Sequence, residues 1–305
     1  MVEFVARRVL QMAITVLLAV VVVFFLLYLS GDPVMLFLPM DTSNEELESF
    51  REMLGFNDPI YVQFGRFMAR AVRGDFGTSL TYDESAFAIV ASRIPATLML
   101  MGTALSGAVL LAIPVGVLAA LRRGKFFDQI ARLITVAGLA MPNFWLGLML
   151  ILVFSVRLHI LPTGGYQGAR YVILPALTLG VALFSRFVRL ARSSMLDVLP
   201  ADYIRTARAK GVGEASVLFK HALRNASSPV ISYIGLEVGR ILGGAVIAET
   251  VFYWPGVGRL VVESLLRRDF AIVRVGVLLM AIGYTLSSLL VDIVYVLLNP
   301  QITYE

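Results

Sequence analysis

Residues 9–29 read VLQMAITVLLAVVVVFFLLYL, a run of 21 residues without a charged side chain. A helix of this length crosses about 30 Å of bilayer hydrocarbon and satisfies its backbone polar groups internally. Arg7 and Arg8 precede the run, as in a signal peptide, but no small-residue cleavage pattern follows it. The stretch therefore predicts a retained membrane anchor helix.

Five further apolar runs bring the number of predicted transmembrane helices to six. They occupy residues 98–121, 133–156, 172–190, 230–252 and about 271–298. Composition agrees, because 58% of the 305 residues are hydrophobic and only 15% are charged, against about 25% charged in soluble domains. The predicted fold class is an all-α membrane protein.

The chain has no Cys and only two His, His159 and His221, which lie in different predicted loops. Disulfides, thiolate metal sites, Cys nucleophiles and iron–sulfur clusters are excluded, and imidazole chemistry nearly so. An intramembrane hydrolase would need a Gly-x-Ser-Gly segment with a membrane His, or a His-Glu-x-x-His motif, and the sequence contains neither. The net charge of +5 in so apolar a chain indicates Lys and Arg kept on one side of a membrane.

Positive residues predict the orientation, because Lys and Arg near the ends of spans stay in the cytoplasm. The N-terminal tail and residues 122–129 and 191–229 hold eleven of them, whereas residues 157–171 and 254–270 hold five. Both termini are therefore predicted to be cytoplasmic.

An outer segment at residues 31–97 is too long for a simple connector. Ser43 and Glu46 match a capping box, which predicts a short helix that stops at Gly55. A second helix is predicted to start at Pro59. These two helices form either a platform for a partner or simple packing over the ends of the spans.

The loop at residues 191–229 carries six Lys or Arg and predicts a helix–glycine–helix finger. Asp202 is expected to cap a helix that runs through Lys210, and Gly211 breaks it. A second helix at 214–223 places four apolar side chains on one face: Ala215, Leu218, Phe219 and Ala222. Small residues near the break favour docking into a groove of a soluble partner, and contact with anionic lipid is the alternative.

Charged residues also fall inside the predicted spans. Glu237 and Arg240 are three residues apart and share a helical face, either as a mutual ion pair or as part of a transport pathway. Arg186 and Arg189 interrupt the fourth span, where their stems can extend to the cytoplasmic interface; a pathway role is the alternative.

Two stretches of the 191–229 loop resemble a known family. Residues 203–211, YIRTARAKG, and 221–225, HALRN, are similar to the coupling-loop signature of permease subunits in the dipeptide/oligopeptide/nickel class of bacterial ABC importers. The resemblance continues through SGDP at 30–33, LGF at 54–56, DPIYVQF at 58–64, GDFGTS at 74–79, PNFW at 142–145, LPTG at 161–164, LPALTLG at 174–180, ETVF at 249–252 and WPGVG at 254–258. Each piece alone is weak, but so many in the right order are specific.

This resemblance implies an ABC transporter type-1 permease fold, with an anchor helix and extracytoplasmic segment at 1–94, a core at 95–298 and a tail at 299–305. It implies a non-catalytic subunit of an ATP-driven importer in the bacterial inner membrane. Di- or oligopeptides are the expected cargo, and nickel chelates, glutathione or opines are the alternatives. The expected partners are a second homologous permease, two ABC ATPase subunits, an extracytoplasmic substrate-binding protein and membrane lipid, but no nucleic acid.

No cofactor is expected on this chain, because ATP and Mg belong to the ATPase subunits in this interpretation. The sequence has no Gly-x-x-x-x-Gly-Lys-Ser/Thr phosphate loop. An ion-coupled secondary transporter, a competing class, would be expected to show inverted repeats and broken helices, and no internal repeat is detectable.

The candidate site residues form two groups. The predicted ATPase-coupling residues are Asp202, Tyr203, Arg205, Thr206, Ala207, Arg208, Ala209, Lys210, Gly211, Glu214 and His221. The predicted pathway or gate residues are Asn143, Glu237, Arg240 and Glu249. The broader importer pattern has Glu-Ala-Ala where this chain has Arg205, Thr206 and Ala207, so Asp202 is the candidate for the acidic contact. Arg274 is expected at the outer gate.

Overall fold

The computed structural model describes residues 2–29, 43–54, 57–79 and 81–298. Throughout these ranges the regular structure is helical, apart from one isolated antiparallel bridge between Thr78 and Ser85. The predicted all-α fold class is confirmed.

The helices are numbered in chain order. They are α1 (Val2–Leu29), α2 (Asn44–Leu54), α3 (Ile60–Ala71), α4 (Ala86–Leu121), α5 (Phe126–Ala140), α6 (Asn143–Leu150), α7 (Ala169–Val198), α8 (Asp202–Ala209), α9 (Glu214–Ser216), α10 (Leu223–Val251), α11 (Val257–Leu266) and α12 (Phe270–Leu298). Wider π-helical turns follow α6 at Ile151–Arg157 and join α9 to α10 at Val217–Ala222.

Length and hydropathy identify the helices that can cross a membrane. Within the described part of the chain, the single helical stretches that qualify are Ala6–Leu29, Ala86–Leu121, Ala169–Val198, Glu214–Val251 and Phe270–Leu289. The bent pair Phe126–Ala140 and Asn143–Arg157 provides a sixth crossing when it is counted as one span. Six spans therefore remain the right number, although several begin earlier than the apolar pattern predicts.

The third predicted span, residues 133–156, is broken rather than continuous. α5 and α6 meet at an angle of 107°. Pro142 causes the break, because it lacks a backbone N–H and disfavours the helical conformation of the residue before it. Met141 is accordingly extended, with φ −79° and ψ 125°. The break beside Pro142 is thus a consequence of local backbone chemistry.

The chain divides into two compact units. The first comprises residues 1–97 and 255–286, and the second comprises residues 98–254 and 287–305. In the first unit, the start of α4 packs with α11 and α12 through a cluster of buried apolar residues: Ala86, Ile89, Val90, Val257, Leu260, Ile272 and Val275. These units differ in their bounds from the predicted division at residue 94, which stays a prediction.

The outer helices begin where the sequence predicts. At the start of α2, the amide of Glu46 donates to the Ser43 hydroxyl at 3.3 Å, and the amide of Ser43 donates to the Glu46 carboxylate at 3.4 Å. This reciprocal pair confirms the capping box, while the predicted stop at Gly55 lies outside the described residues. Pro59 precedes the first residue of α3, also as predicted.

Asp269 ties the connector before α4 to the start of α12. Its buried carboxylate accepts hydrogen bonds from the Ser79 hydroxyl at 2.5 Å and from the Thr81 amide at 3.2 Å. The guanidinium of Arg274 lies 5.2 Å from the ring centroids of both Phe24 and Phe67, and its expected place at the outer gate stays a prediction. At this distance the charged Arg274 side chain makes cation–π contacts with both rings.

In the second unit, α7 packs against α5, α6 and α10. Near the C-terminal end of α7, α8 is held by a cluster of buried residues that includes Val117, Met195, Ile204 and Val217. Just before the N-terminal end of α7, the amide of Gly165 donates to the carbonyl of Phe252 at 2.9 Å. A Cβ at the neighbouring Gly164 would collide with the Phe252 backbone, so this approach requires glycine.

Candidate functional site

The turn after α8 is the first candidate site. Gly211 has φ +76°, a left-handed conformation that favours glycine, and the predicted break at this residue is confirmed. The Arg208 guanidinium donates to both carboxylate oxygens of Glu214, at 3.1 and 2.6 Å, and so bridges the turn. These hydrogen bonds raise the pKa of Arg208 above its ordinary value. The turn therefore has a defined shape although both side chains are exposed.

The predicted capping of α8 by Asp202 is wrong. Ala201 occupies the cap position with an extended backbone, and no side chain caps the helix. Asp202 is the first helical residue, and its carboxylate accepts from the Arg205 guanidinium at 2.6 Å. It still places a negative charge in the first turn, where the helix dipole favours one.

Ala207 does not form part of the exposed face of the loop. Its relative exposure is 9%, and with Ile204 it packs against the ends of α4 and α7. The small side chain therefore serves packing within this chain. The exposed coupling candidates of α8 and its turn are Asp202, Tyr203, Arg205, Thr206, Arg208, Ala209, Lys210 and Gly211.

The second arm of the finger differs from the prediction. The sequence predicts a separate helix at 214–223, but the helix that starts at Glu214 continues through a π turn into α10. A π turn has more residues than an α turn, so it shifts which side chains share a face. Val217 and Ala222 are buried, whereas Ala215 and Phe219, expected on the apolar face, are exposed. His221 is half-buried within this turn.

A cluster of charged residues on α7 and α10 is the second candidate site. Glu237 is completely buried and accepts from Arg186 at 2.7 Å and from Arg240 at 3.3 Å. The ion pair between Glu237 and Arg240, one of the two interpretations of their spacing, is present, and the pathway role stays a prediction. The Arg240–Glu237 ion pair is weaker than the Arg186–Glu237 pair, because Arg240 is 61% exposed and Arg186 is 37% exposed.

The sequence pattern does not link Arg186 to Glu237, and it favours extension of the arginine stem to the membrane interface. The structure shows an ion pair instead, between residues 51 positions apart. A buried carboxylate within a predicted span requires a cation, and that signal is present in the sequence. The partner is missed because Arg240, three residues away, already meets that requirement in the sequence.

Sequence reasoning misses a second buried ion pair entirely. Asp128 on α5 is buried and accepts from two nitrogens of Arg192 on α7, at 2.6 and 2.9 Å. It also accepts from the Gly124 amide at 2.9 Å. Asp128 lies in the first turn of α5, where an acidic residue is usually at the surface. The sequence around it therefore does not predict a buried ion pair.

The other two gate candidates lie along α10 but apart from Glu237. Asn143, at the start of α6, faces Gly244, which is seven residues or about 10 Å of helix beyond Glu237. Glu249 is completely buried close to the end of α10. The candidates therefore follow one helix without forming a single cluster. Among the described residues, no group of His, Asp or Glu is placed to hold a metal ion.

The sequence matches a family of membrane transport subunits. The family described as binding-protein-dependent transport system inner membrane component matches residues 112–304, and the N-terminal family of the same transport systems matches residues 1–101. The chain belongs to this family and is a permease subunit of an ABC importer. The resemblance inferred from the loop motifs is thereby confirmed.

Similar proteins extend the match over the complete chain. It is 41% identical over 306 residues to the glutathione transport system permease protein GsiC of Salmonella paratyphi A, with all of both chains covered. It is 40% identical, again over 306 residues and all of both chains, to the GsiC proteins of Escherichia coli strain K12 and of Salmonella typhi. The identity of this chain to the GsiC proteins is therefore almost the same for Escherichia and Salmonella.

Replacing either arginine of the Glu237 cluster tests which ion pair stabilises the fold. Arg186→Met leaves a fully buried carboxylate with only its weaker partner, and we expect a loss of about 3 kcal/mol. Arg240→Met removes the same charge from a more exposed position and should cost less than about 1 kcal/mol. Thermal unfolding of the detergent-purified subunits measures the difference, and equal destabilisation by the two variants would contradict the assignment.

Proposed function

We propose that this chain forms one half of the membrane pathway of an ABC importer for glutathione or a closely similar small anionic peptide. The observation that carries the proposal is the 40–41% identity, over the complete chain, to permeases named for glutathione transport. Among the cargos expected from the sequence, this favours the glutathione alternative over di- or oligopeptides in general.

The rest of the assembly belongs to the same proposal. The α8 turn docks onto an ATPase subunit, which supplies ATP and Mg, and a second permease completes the pathway. An extracytoplasmic binding protein delivers the cargo. The chain lies in the bacterial inner membrane with both termini in the cytoplasm, as the distribution of Lys and Arg favours.

Cargo choice is tested by uptake in cells that lack their own glutathione and peptide importers. Expressed with its partner subunits, the chain should support uptake of radiolabelled glutathione, and excess unlabelled dialanine should not compete. Cells with ATPase subunits inactivated in their phosphate loop are the control. Uptake of dialanine without uptake of glutathione would show that the cargo is a dipeptide and would refute the glutathione proposal.

Coupling to the ATPase is tested at Gly211, where an added Cβ meets no atom within 4 Å. Gly211→Ala and Gly211→Trp impose the same left-handed strain, roughly 1 kcal/mol, but only tryptophan adds bulk to the exposed turn. We expect the alanine variant to retain most of its uptake and the tryptophan variant to lose it, with equal amounts of subunit in the membrane. Normal uptake by Gly211→Trp would refute docking at this turn.

One exposed stripe of α10 is suited to contact the second permease. Its members are Leu236, Arg240, Gly243, Ile247 and Thr250, which recur every three or four residues. Gly243 lies at the centre of the stripe, where an added Cβ would meet no atom within 4 Å, and a small residue there lets another membrane helix approach closely.

Crosslinking tests this surface, and the absence of native Cys makes any introduced one unique. A Cys at Gly243 should crosslink to the second permease, whereas a Cys at Ala245, which is buried within this chain, should not. The adducts are identified by mass spectrometry. Efficient self-crosslinking of Gly243→Cys into a homodimer that transports without another permease would contradict the heteromeric assembly.

A further inference from the structure

A cavity of about 820 Å³ opens among α5, α7 and α10 in the second unit. Its volume lies within the roughly 300–1,000 Å³ of small-molecule sites. It is lined by Arg132, Thr135, Val136, Leu139, Arg186, Arg189, Leu190, Arg192, Ser193 and Tyr233. Four of these ten residues are arginines, so the cavity is strongly basic.

The nearby carboxylates balance only part of this charge. Arg192 is bound by Asp128, and Arg186 by Glu237. Arg132 lies 3.8 Å from Asp128, which it shares with Arg192. Four guanidinium groups therefore meet two carboxylates.

Arg189 is the unmatched group. It is exposed in this chain and forms no ion pair or hydrogen bond with any residue that the structure describes. It lies within α7, one of the helices able to cross a membrane, where an unpaired charge is costly unless it faces a partner or a wet cavity. The open cavity beside it provides such a place.

We propose that this cavity binds the carboxylates of a small anionic peptide during transport, with Arg189 as the guanidinium that receives them. A guanidinium binds a carboxylate through two parallel hydrogen bonds and keeps its charge at any physiological pH. The inference rests on the proposed function, and it assigns part of the route taken by the cargo.

The remaining lining residues favour a peptide over a simple anion. Ser193 offers an exposed hydroxyl group for an amide, while Val136 and Leu139 offer apolar contact. The hydroxyls of Thr135 and Tyr233 are already hydrogen-bonded, to the Arg132 carbonyl and to Glu237. Glutathione has two separated carboxylates, one ammonium group and two amides, so it uses both kinds of lining. A lipid phosphate concentrates its charge at one point and leaves most of these groups unused.

Binding is measured with a single Cys at Ser193 in the assembled complex. Modification by an anionic methanethiosulfonate should be faster than by a cationic one, and S-methylglutathione, which has the same carboxylates but no thiol, should protect the Cys. Thr103→Cys is the matched control, because it lines a separate and almost wholly apolar cavity of about 410 Å³. There we expect neither the charge preference nor protection.

Arg189→Gln in the Ser193→Cys background should raise the S-methylglutathione concentration needed for protection about tenfold. Arg189→Lys, which keeps the charge, should give a smaller rise. Maximal glutathione uptake should fall with Arg189→Gln but not with Arg170→Gln, which removes the same charge from the other end of α7.

Three outcomes overturn the inference while leaving the proposed function intact. They are glutathione uptake by the wild type without protection of Ser193→Cys, protection that is unchanged by Arg189→Gln, and loss of a co-purified acidic lipid from Arg189→Gln with uptake unchanged. The last would assign the cavity to a lipid headgroup. If the wild-type complex fails to take up glutathione at all, the proposed function itself is refuted.

Discussion

Two carboxylates buried in the second unit have to be neutralised, and one helix neutralises both. Asp128 on α5 and Glu237 on α10 are at most 1% exposed, and their principal partners, Arg192 and Arg186, are both on α7. Separating a buried carboxylate from its partner leaves an uncompensated charge, which is strongly destabilising. α7 is therefore fixed to α5 on one side and to α10 on the other, and the cavity among these three helices takes its shape from that constraint.

The features that the sequence predicts well are those determined by neighbouring residues. The apolar runs indicate the spans, the Ser43–Glu46 spacing indicates a helix start, and Pro142 indicates a kink, because each depends on local backbone chemistry. The loop motifs, taken in order, are enough to identify the family. The tertiary partners of charged residues are not predictable in this way, since Arg186 and Glu237 are 51 positions apart and Asp128 and Arg192 are 64 apart.

A departure from the regular α-helix accounts for the error at Phe219 in the loop. The apolar face predicted for residues 214–223 assumes 3.6 residues per turn, but Val217–Ala222 forms a π turn. Phe219 is consequently 66% exposed, although the regular period places it in the core. An exposed aromatic ring beside a basic turn adds apolar surface to the loop, a property that a constant helical period does not reveal.

The continuity between the loop and the fifth span has a mechanical consequence. The helical stretch Glu214–Val251 has 38 residues, or about 57 Å at 1.5 Å per residue, whereas bilayer hydrocarbon is about 30 Å thick. Part of this stretch must therefore project beyond the hydrocarbon, and one helix joins Glu214 in the loop to Glu237 in the span. Pro229 lies inside this stretch and removes one of its backbone hydrogen bonds. In the docking proposed above, a displacement of the turn would therefore be transmitted along one helix to the residue that carries the buried carboxylate.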